Sequence, residues 1–406
     1  MEIRPILSTL RRHKTAAALI VLQVAVTCAI ICNAVFLIAG RIEAISRPTG
    51  IDEAGIVRIQ LTGIGQDVNP MAVTREDLAA LRAIPGVIHA TSVNQVPLVN
   101  SSWNTSVTTA PDQVLPTLST TMYMGGPELF ETLGLELVAG RMLSADEFED
   151  YDEEEGFRGI TPGAAVVTRS FVERAFPGSD GIGEVFYFSE DPIRVVGVVD
   201  TLVRPNLKSW AGQAGHSVLL PVAVPYTMGG NYLIRTTPER RAEVLDAAVR
   251  VLKENGGNRI ILEQQIYDEI RQDYYAQDRS MAWLLAAVIV ALLVVTALGI
   301  VGLASFWVQQ RTKQIGVRRA LGATRGQILR YFQAENFILA TIGIVIGMLL
   351  AFGLNQMLME RYELSRLPLV YLPVGAVALW LLGQLAVFWP ARRAASVPPA
   401  VATRSV

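Results

Sequence analysis

The chain has 406 residues, of which 51% are hydrophobic and 18% charged, and its formal net charge is −2. Soluble domains usually contain about 25% charged residues, so this composition argues against a wholly soluble protein. The three histidines, His13, His89 and His216, are scattered, and no metal-ligand cluster is visible. Cys28 and Cys32 share one face of an apolar helix, where we expect them to act as small packing residues.

Four apolar stretches are long enough to cross a membrane, since a spanning helix needs about 20 apolar residues. We predict transmembrane helices at residues 16–40, 280–310, 336–359 and 368–390. The first stretch could instead be a cleaved signal peptide. Its apolar core is longer than the usual roughly 7–15 residues and no clear cleavage site follows it, so we favour an uncleaved anchor.

Lysine and arginine in the flanking segments predict the orientation of the spans. Basic residues cluster before the first span, between the second and third, and after the fourth: Arg4, Arg11, Arg12, Lys14, Arg311, Lys313, Arg318, Arg319, Arg325, Arg330, Arg392, Arg393 and Arg404. We therefore expect segments 1–15, 311–335 and 391–406 to be cytoplasmic. Residues 41–279 and the charge-balanced short loop 360–367 are then periplasmic.

The large segment 41–279 has a mixed α+β pattern. Strand-like runs at 55–61 and 87–93 flank a helical pattern at 74–84 with Thr74 as its N-cap. Near the other end, strand, helix and strand patterns follow at 232–235, 238–254 and 260–262. These patterns predict β-α-β parts at about 50–116 and 202–264, and a helical segment 265–279 continuous with the second span.

The middle of this segment is richer in strand patterns, at 184–188 and 193–199, with a turn signal at Asp191-Pro192. We predict an inserted β-rich subdomain at about 117–201. Inside it, residues 146–155 contain eight carboxylates in ten positions. A cation site or a patch for a basic ligand is one interpretation, and a solvated, mobile loop held open by its own repulsion is the one we favour.

Catalytic motifs are absent from the sequence. It has no Gly-x-x-x-x-Gly-Lys-Ser/Thr loop for phosphates, no Gly-x-Ser-x-Gly elbow and no His-Glu-x-x-His zinc motif. We therefore expect that this chain is not an enzyme by itself, that it holds no cofactor, and that nucleic acid is not a partner. No charge lies in the middle of a predicted span, which argues against an ion-conducting or proton-relay transporter.

The basic loop between the second and third spans has a specific pattern. Residues 311–325 read Arg-Thr-Lys-Gln-Ile-Gly-Val-Arg-Arg-Ala-Leu-Gly-Ala-Thr-Arg. They predict a short amphipathic helix over 313–321 ended by Gly322, followed by a capping box at Thr324 and Gln327 that opens the next helix. Glu335, Asn336, Asn355 and Gln356 are placed at the ends of the third span, where we expect them to reach water.

These features resemble the MacB- and FtsX-like permeases of ABC transporters, also called type VII, over essentially the full length. Residues 311–325 are similar to that family's R-x-K-E-I-G-I-x-R-A-L-G-A-T/S signature, with Gln314 where the family usually has Glu. The stretches 127–142, 176–183 and 194–199 resemble the family's periplasmic core domain, and 390–395 resembles its terminal P-A-R-x-A motif. The implied fold class is an α-helical integral membrane protein with four transmembrane helices and a large α+β periplasmic domain between helices 1 and 2.

The resemblance implies a role for the basic loop as a coupling helix that docks on a separate ABC ATPase, which binds the ATP and magnesium. Ile315 and Leu321 would enter the ATPase cleft, and Arg318 and Arg319 would pair with its carboxylates. The alternative is that the cations only satisfy the positive-inside rule and touch lipid phosphates. The implied coupling residues are Arg311, Lys313, Gln314, Ile315, Val317, Arg318, Arg319, Leu321 and Gly322.

Small residues in the second and third spans suit close helix packing, either at a subunit interface or within one subunit. They are Gly299, Gly302, Gly343 and Gly347. The family implies a dimer of permease subunits, identical or diverged, with an ATPase dimer, membrane lipid and, as an open alternative, a periplasmic adaptor and an outer-membrane duct.

The implied function is mechanotransmission, in which ATP-driven closure moves the periplasmic domains to expel a periplasmic substrate such as peptides, antibiotics or other amphiphiles. The implied location is the bacterial inner membrane. Alternatives are a lipoprotein-release permease, an FtsX-like regulator of cell-wall hydrolases that transports nothing, and an anchored sensor or adhesin. An anchored sensor or adhesin would leave the pattern of the basic loop unexplained.

Overall fold

The computed structural model describes residues 14–64, 69–101, 103–151, 153, 156, 162–188, 191–207, 214–256, 258–362 and 367–396. Most of the predicted N-terminal segment and C-terminal tail, and half of the loop 360–367, lie outside these residues. The chain divides into two compact units. We call residues 1–46 with 277–406 the helical unit, and residues 47–276 the sheet unit.

The described part of the sheet unit contains the following helices and strands, in chain order: β1 (Ile56–Gly63), α2 (Pro70–Arg82), β2 (His89–Val93), β3 (Asn104–Val107), β4 (Leu118–Met124), α3 (Leu129–Leu133), β5 (Leu137–Gly140), β6 (Glu149–Asp150), β7 (Ala164–Thr168), α4 (Arg169–Ala175), β8 (Val185–Phe188), β9 (Asp191–Val199), β10 (Ser217–Leu220), β11 (Val222–Ala223), β12 (Asn231–Arg235), α5 (Arg241–Asn255), β13 (Arg259–Ile266) and α6 (Tyr267–Tyr274). Helix α1 (Lys14–Ser46) precedes them in the helical unit.

The first sheet has four strands in the order β13-β1-β12-β2, and every neighbouring pair is antiparallel. The two β-α-β parts are therefore interleaved in a single sheet, because β12 lies between β1 and β2 while β1 lies between β12 and β13. Apolar side chains of β1 alternate towards α2 and α5, where Val57, Ile59 and Leu81 are fully buried. The apolar core on this face of the sheet therefore lies between the strands and the two amphipathic helices.

Helix α2 begins four residues before the predicted start at Thr74. Asn69 is the N-cap, since its Oδ1 accepts a hydrogen bond from the Ala72 N–H at 2.9 Å. Pro70 suits the first helical position because its fixed φ matches the helix and its missing N–H would have no partner there. Thr74 lies one turn later and donates its hydroxyl to the Pro70 carbonyl. The predicted N-cap at Thr74 is wrong.

The second sheet follows the order β3-β4-β10-β7-β9-β5, with β8 also paired to β9. Thr108 and Tyr187 form an isolated bridge that joins the end of β3 to β8. Phe171 and Phe186 are fully buried in its core and meet edge to face at 5.2 Å. The sheet extends from residue 104 to residue 220, beyond the predicted 117–201, because long-range pairing recruits β3 and β10. Asp191 and Pro192, predicted as a turn, begin β9.

The acidic run has specific partners where the structure describes it. Glu149 and Asp150 form β6, which pairs in parallel with β11. Arg141 holds Glu147 with two hydrogen bonds of 2.7 Å, and this contact lowers the pKa of Glu147 to about 2. Arg141 and Arg75 thus pair with two of the carboxylates, Glu147 and Asp150, which differs from the predicted loop held open by its own repulsion. Asp152, Glu154 and Glu155 lie outside the described residues.

The predicted continuous rod formed by 265–279 and the second span is also wrong. Strand β13 continues to Ile266, the short helix α6 ends at Tyr274, and the long helix α7 (Ala276–Gln310) starts after a break at Tyr275. The Tyr275 N–H still bonds the Arg271 carbonyl at 3.2 Å. Residues 265 and 266 extend the ladder with β1 instead of entering a helix, because Val57 and Arg58 are available to pair with them.

Beyond α7, the helical unit contains α8 (Thr312–Ala320), α9 (Arg325–Tyr362) and α10 (Tyr371–Ala395). Helices α1, α7, α9 and α10 are long and apolar enough to span a membrane. Each begins or ends outside the predicted span, with α9 starting eleven residues before the predicted 336. Helical hydrogen bonding continues past the apolar stretch because it does not depend on side-chain hydropathy.

Helix α9 packs closely on α1 through small residues. A Cβ on Gly343 would meet Val24 at 2.8 Å, and one on Gly347 would meet the Cβ of Cys28 at 2.5 Å. Cys28 and Cys32 are both fully buried at this contact, as expected for packing residues. The close approach of the helices explains the spacing of these glycines.

Candidate functional site

The basic loop folds as a short helix between two long ones. Helix α8 covers Thr312–Ala320, within one residue of the predicted 313–321. Gly322, at φ +96°, ends it: the Gly322 N–H bonds the Arg319 carbonyl at 3.1 Å and the Ala323 N–H bonds the Arg318 carbonyl at 3.0 Å. This pair of bonds is a Schellman motif, in which glycine provides the left-handed residue without a Cβ penalty.

The predicted capping box at the start of α9 is confirmed. The Thr324 N–H donates to Gln327 Oε1 at 2.9 Å, and the Gln327 N–H donates to Thr324 Oγ1 at 3.3 Å. Two orphan backbone donors are thereby satisfied. The loop between α8 and α9 is consequently short and held at both ends.

Arg311 lies at the turn between α7 and α8, and it is buried. Its Nη1 and Nη2 donate to the Glu335 carboxylate at 2.8 and 3.2 Å, and the two side chains are 8% and 1% exposed. Its guanidinium also lies 5.6 Å from the Trp307 ring. Arg311, predicted as one of the ATPase-coupling residues, is therefore held within the chain, since a buried cation requires a carboxylate partner, and its part in coupling stays a prediction.

Ile315 also faces inward. It is 6% exposed and packs in an apolar cluster with Ile300 of α7, Phe332 of α9 and Ala391 of α10. Ile315, predicted to enter an ATPase cleft, therefore packs within this chain, and its part in coupling stays a prediction. Burial of Ile315 among the long helices is favourable, because each buried methylene stabilises the fold by about 0.8 kcal/mol.

Three side chains form an exposed ridge along α8 that we call the crest: Lys313, Val317 and Leu321. They recur at every fourth residue and so lie on one helix face. Val317 is 51% and Leu321 is 83% exposed. Gln314 and Gly322 are exposed beside them. An apolar ridge with a cation at one end is available for a partner.

Arg318 and Arg319 fasten α8 to the neighbouring helices. The Arg318 guanidinium lies 5.1 Å from the Tyr331 ring of α9. Arg319 Nη1 donates to the Ala395 carbonyl at 3.0 Å, where α10 ends and the helix dipole favours a cation. These contacts give both arginines positions inside the helical unit, which differs from the predicted pairing with partner carboxylates.

A cavity of about 210 Å³ lies between α8 and the first turns of α9. It is lined by residues of both helices and of the turn between them: Arg311, Gln314, Ile315, Arg318, Ala323, Gln327, Ile328, Tyr331 and Phe332. The lining combines cations and amides with an apolar floor. Nothing in the loop pattern signalled this cavity, because it depends on the angle at which α8 returns to α9.

The four small residues of the predicted packing set have different surroundings. Gly343 and Gly347 lie against α1 of the same chain, and a Cβ on Gly299 would meet the side chain of Gln23 at 2.4 Å. Nothing lies within 4 Å of a Cβ on Gly302. Three of the four therefore serve packing within this chain.

The polar residues at the ends of the third span were expected to reach water, and three of them do not. Glu335, Asn336 and Asn355 are buried, and Asn355 Oδ1 accepts a hydrogen bond from the Leu367 N–H at 2.8 Å. Only Gln356 is exposed. Sequence reasoning missed the pairing of Glu335 with Arg311. The available signal was that Glu335 is the first carboxylate after six cations. Among the described residues, no group of three or more His, Cys, Asp or Glu could hold a metal ion.

Comparison with known protein families gives two matches. The FtsX-like permease C-terminal family matches residues 286–399. The MacB-like periplasmic core domain family matches residues 18–252, which is more than half of the chain. Together the two matches include the sheet unit up to α5, part of the helical unit, and the whole basic loop.

Curated relatives are also found. The macrolide export ATP-binding/permease protein MacB of Shewanella sp. (strain W3-18-1) is 28% identical over 341 residues, which cover 80% of this chain and 47% of that protein. MacB of Acinetobacter baylyi is 28% identical over 271 residues, covering 64% of this chain and 40% of that protein. The chain thus spans less than half the length of the curated relatives it matches.

Two solved structures are similar to part of the chain. The extracellular domain of the noncanonic ABC-type transporter YknZ from Gram-positive bacteria aligns with a TM-score of 0.33 and 14% identity, covering 51% of this chain and 100% of that domain. The periplasmic region of MacB from Actinobacillus actinomycetemcomitans aligns with a TM-score of 0.34 and 15% identity, covering 57% of this chain and 97% of that region.

Proposed function

The chain belongs to the family of MacB- and FtsX-like permeases of ABC transporters, and from this premise we propose that it is the mechanotransmission subunit of a transporter complex. It is a membrane protein with a periplasmic domain. In this proposal ATP and magnesium bind to a separate ATPase subunit, and this chain converts the ATPase movement into movement of its periplasmic domain.

The proposed orientation places both termini and the basic loop in the cytoplasm of a bacterial inner membrane. The cations of the loop and of the α10 end support it, since positive residues remain on the cytoplasmic side. The sheet unit then lies in the periplasm. This orientation puts the crest of α8 where a cytoplasmic ATPase can reach it.

The observation that supports the coupling role best is the crest. Val317 and Leu321 are exposed on a helix whose other side is buried, where Ile315 packs in the apolar cluster. Exposed apolar ridges with a polar rim are typical of protein interaction sites. We propose that Val317 and Leu321 enter the ATPase surface and that Lys313 orients the contact.

The mechanism follows from how α8 is held. The Arg311–Glu335 pair and the Arg318 and Arg319 contacts tie α8 to α9 and α10, so a push on the crest is transmitted to several membrane helices together. In this proposal, movement of α7 is passed along the chain to the sheet unit, through the break between the helices at Tyr275. We propose that this break acts as a joint in place of the continuous rod that the sequence suggested.

The proposed substrates are periplasmic peptides, antibiotics or other amphiphiles. The periplasmic core domain match over residues 18–252 and the relatives named as macrolide exporters support this class. The proposed partners are an ATPase dimer and a second permease subunit. A periplasmic adaptor and an outer-membrane duct would complete an export complex.

The test is affinity purification of the full chain from its native membrane, with mass spectrometry of the proteins recovered. We expect wild type to recover an ABC ATPase and the double variant Val317→Asp/Leu321→Asp to recover at least about tenfold less, since buried apolar anchors contribute roughly 2 kcal/mol or more each. The matched control is Val114→Asp/Leu115→Asp, which changes an exposed Val-Leu pair of the sheet unit. Equal recovery in wild type and the crest variant, or no ATPase in any sample, would contradict the coupling role.

A cross-link tests the movement itself. Thr27 of α1 and Thr296 of α7 are buried with their hydroxyls 2.9 Å apart. In a Cys28→Ala/Cys32→Ala background, Thr27→Cys/Thr296→Cys can be oxidised to lock the two helices. We expect ATP hydrolysis by the co-purified complex to fall at least about tenfold and to recover on reduction, as for a gated cycle. Unchanged hydrolysis in the locked protein, compared with each single cysteine variant, would rule out relative movement of α1 and α7.

A further inference from the structure

The cavity between α8 and α9 has a composition that the coupling role does not use. Its rim contains the guanidinium of Arg318 and the amides of Gln314 and Gln327, and its floor contains Ile315, Ile328 and Phe332. A cationic and hydrogen-bonding rim over an apolar floor matches an amphiphile with an anionic head. The crest lies on a different face of α8, so the two surfaces are separate.

The cavity carries positive charge that a ligand can reach. None of the nine residues that line it is Asp or Glu. Arg311 is occupied by Glu335, whereas Arg318 is exposed and is positioned by the Tyr331 ring beneath it. The Gln327 Oε1 accepts the Thr324 N–H in the capping box, and the amide nitrogen of this exposed side chain is a hydrogen-bond donor. An anionic group of a ligand would therefore meet Arg318 first.

The position of the cavity relates it to a membrane surface. The uncharged stretch of α7 continues to Gln310, one residue before Arg311, and the apolar stretch of α9 begins near Asn336. The cavity lies in the basic segment between these two ends. Basic pockets at this level are where lipid headgroups bind, because anionic lipid phosphates lie next to the first charged residues of the protein.

The size of the cavity limits its occupant. Sites for drug-sized molecules have volumes of about 300–1,000 Å³, and this cavity has about 210 Å³. It can enclose a headgroup and the start of an acyl chain, while the remainder of the molecule stays in the bilayer.

We propose that this cavity binds one anionic phospholipid. Its phosphate contacts Arg318 and the amides of Gln314 and Gln327, and its glycerol and first methylenes cover Ile328 and Phe332. The bound lipid fills the space behind α8 and supports the coupling helix from the membrane side. This inference does not depend on whether the crest docks an ATPase.

The test uses the purified full chain in a neutral detergent and measures thermal stability during titration with dihexanoyl phosphatidylglycerol. Parallel titrations use dihexanoyl phosphatidylcholine and inorganic phosphate. A ligand that binds only the folded state raises the melting temperature with its concentration. We expect phosphatidylglycerol alone to stabilise wild type strongly.

Two variants and one control test whether phosphatidylglycerol binds in this cavity. Arg318→Gln removes the rim cation, and Ala323→Phe fills the cavity without changing its charge. We expect each to weaken phosphatidylglycerol binding at least about tenfold, as for the loss of one charge-assisted contact. The control Arg330→Gln removes an exposed cation of α9 that does not line the cavity, and should change binding less than about twofold.

Three results would overturn the proposal. Equal stabilisation by inorganic phosphate would identify a free-phosphate site instead of a lipid site. Equal weakening in Arg330→Gln would show that the lipid responds to the diffuse charge of the loop. Unchanged lipid binding in Arg318→Gln, together with reduced recovery of the ATPase, would assign the cavity to ATPase docking; the crest variant tests that docking separately.

Discussion

Asp77→Ala is expected to lower the free energy of unfolding of the sheet unit by about 3–5 kcal/mol, the usual cost of removing one partner from a buried ion pair. Asp77 of α2 is 1% exposed. It accepts two hydrogen bonds from Arg259 of β13, one of them at 3.0 Å from Nη2, and a third from the Tyr232 hydroxyl at 2.7 Å. The variant leaves a buried cation and a buried phenol without their acceptor.

The change is measured by thermal unfolding of the full chain in detergent. At about 2–4 °C per kcal/mol for a unit of roughly 150–250 residues, the melting temperature should fall by about 6–20 °C. The hydrogen bond with Asp77 raises the pKa of Arg259, and burial raises the pKa of Tyr232 well above its usual value. In wild type Arg259 therefore stays charged and Tyr232 stays neutral from pH 6 to 9, and the difference between variant and wild type should not depend on pH in that window.

The matched control is Asp150→Ala, which breaks the exposed pair with Arg75. Exposed pairs contribute about 0–1 kcal/mol, so the melting temperature should change by no more than about 4 °C. If Asp77→Ala shifted it no more than Asp150→Ala, the network of Asp77, Arg259 and Tyr232 would not be a major support of the fold.

Glu335→Met and Arg311→Met are the second pair of changes with a large expected effect. Each single change leaves the other partner buried, and we expect each to destabilise the helical unit by about 3–5 kcal/mol. The double variant Arg311→Met/Glu335→Met should recover most of this loss, because apolar replacement of a whole buried pair is often neutral. The losses in unfolding free energy of the two single variants then do not sum to the loss of the double variant, as is usual for residues in direct contact.

Thermal unfolding of the four proteins in detergent measures this cycle, with Lys313→Gln of the exposed crest as the control. Recovery of the ATPase by each variant adds a second measurement. We expect the Met/Met variant to fold but to recover less ATPase than wild type, since α8 loses the ionic contact that sets its position. Additive losses in the cycle would show that Arg311 and Glu335 do not interact in the folded protein.

Much of the architecture could be predicted from local patterns. Four apolar stretches, a basic loop, the glycine that ends α8 and the capping box at Thr324 all correspond to elements in the structure. Each of these signals is confined to a few neighbouring residues, and the physical effect that it reports, membrane burial or backbone capping, is equally local.

The errors concern residues whose environment depends on distant partners. Ile315 and Arg311 have the same local pattern as Val317 and Lys313, yet the first two are buried and the second two are exposed. A partner 24 residues away, Glu335, decides the position of Arg311. Residues 265 and 266 likewise pair with β1, which extends strand β13 into a stretch with a helical pattern.

Local sequence patterns were enough to indicate four membrane-length helices, a large α+β insertion after the first, and an amphipathic basic helix between the second and third. The tertiary structure decided which face of that helix is free, which arginines are fixed within the chain, and where a cavity opens beside it. The reason is that hydropathy and capping act within one or two helical turns, whereas burial and charge pairing depend on which helices meet.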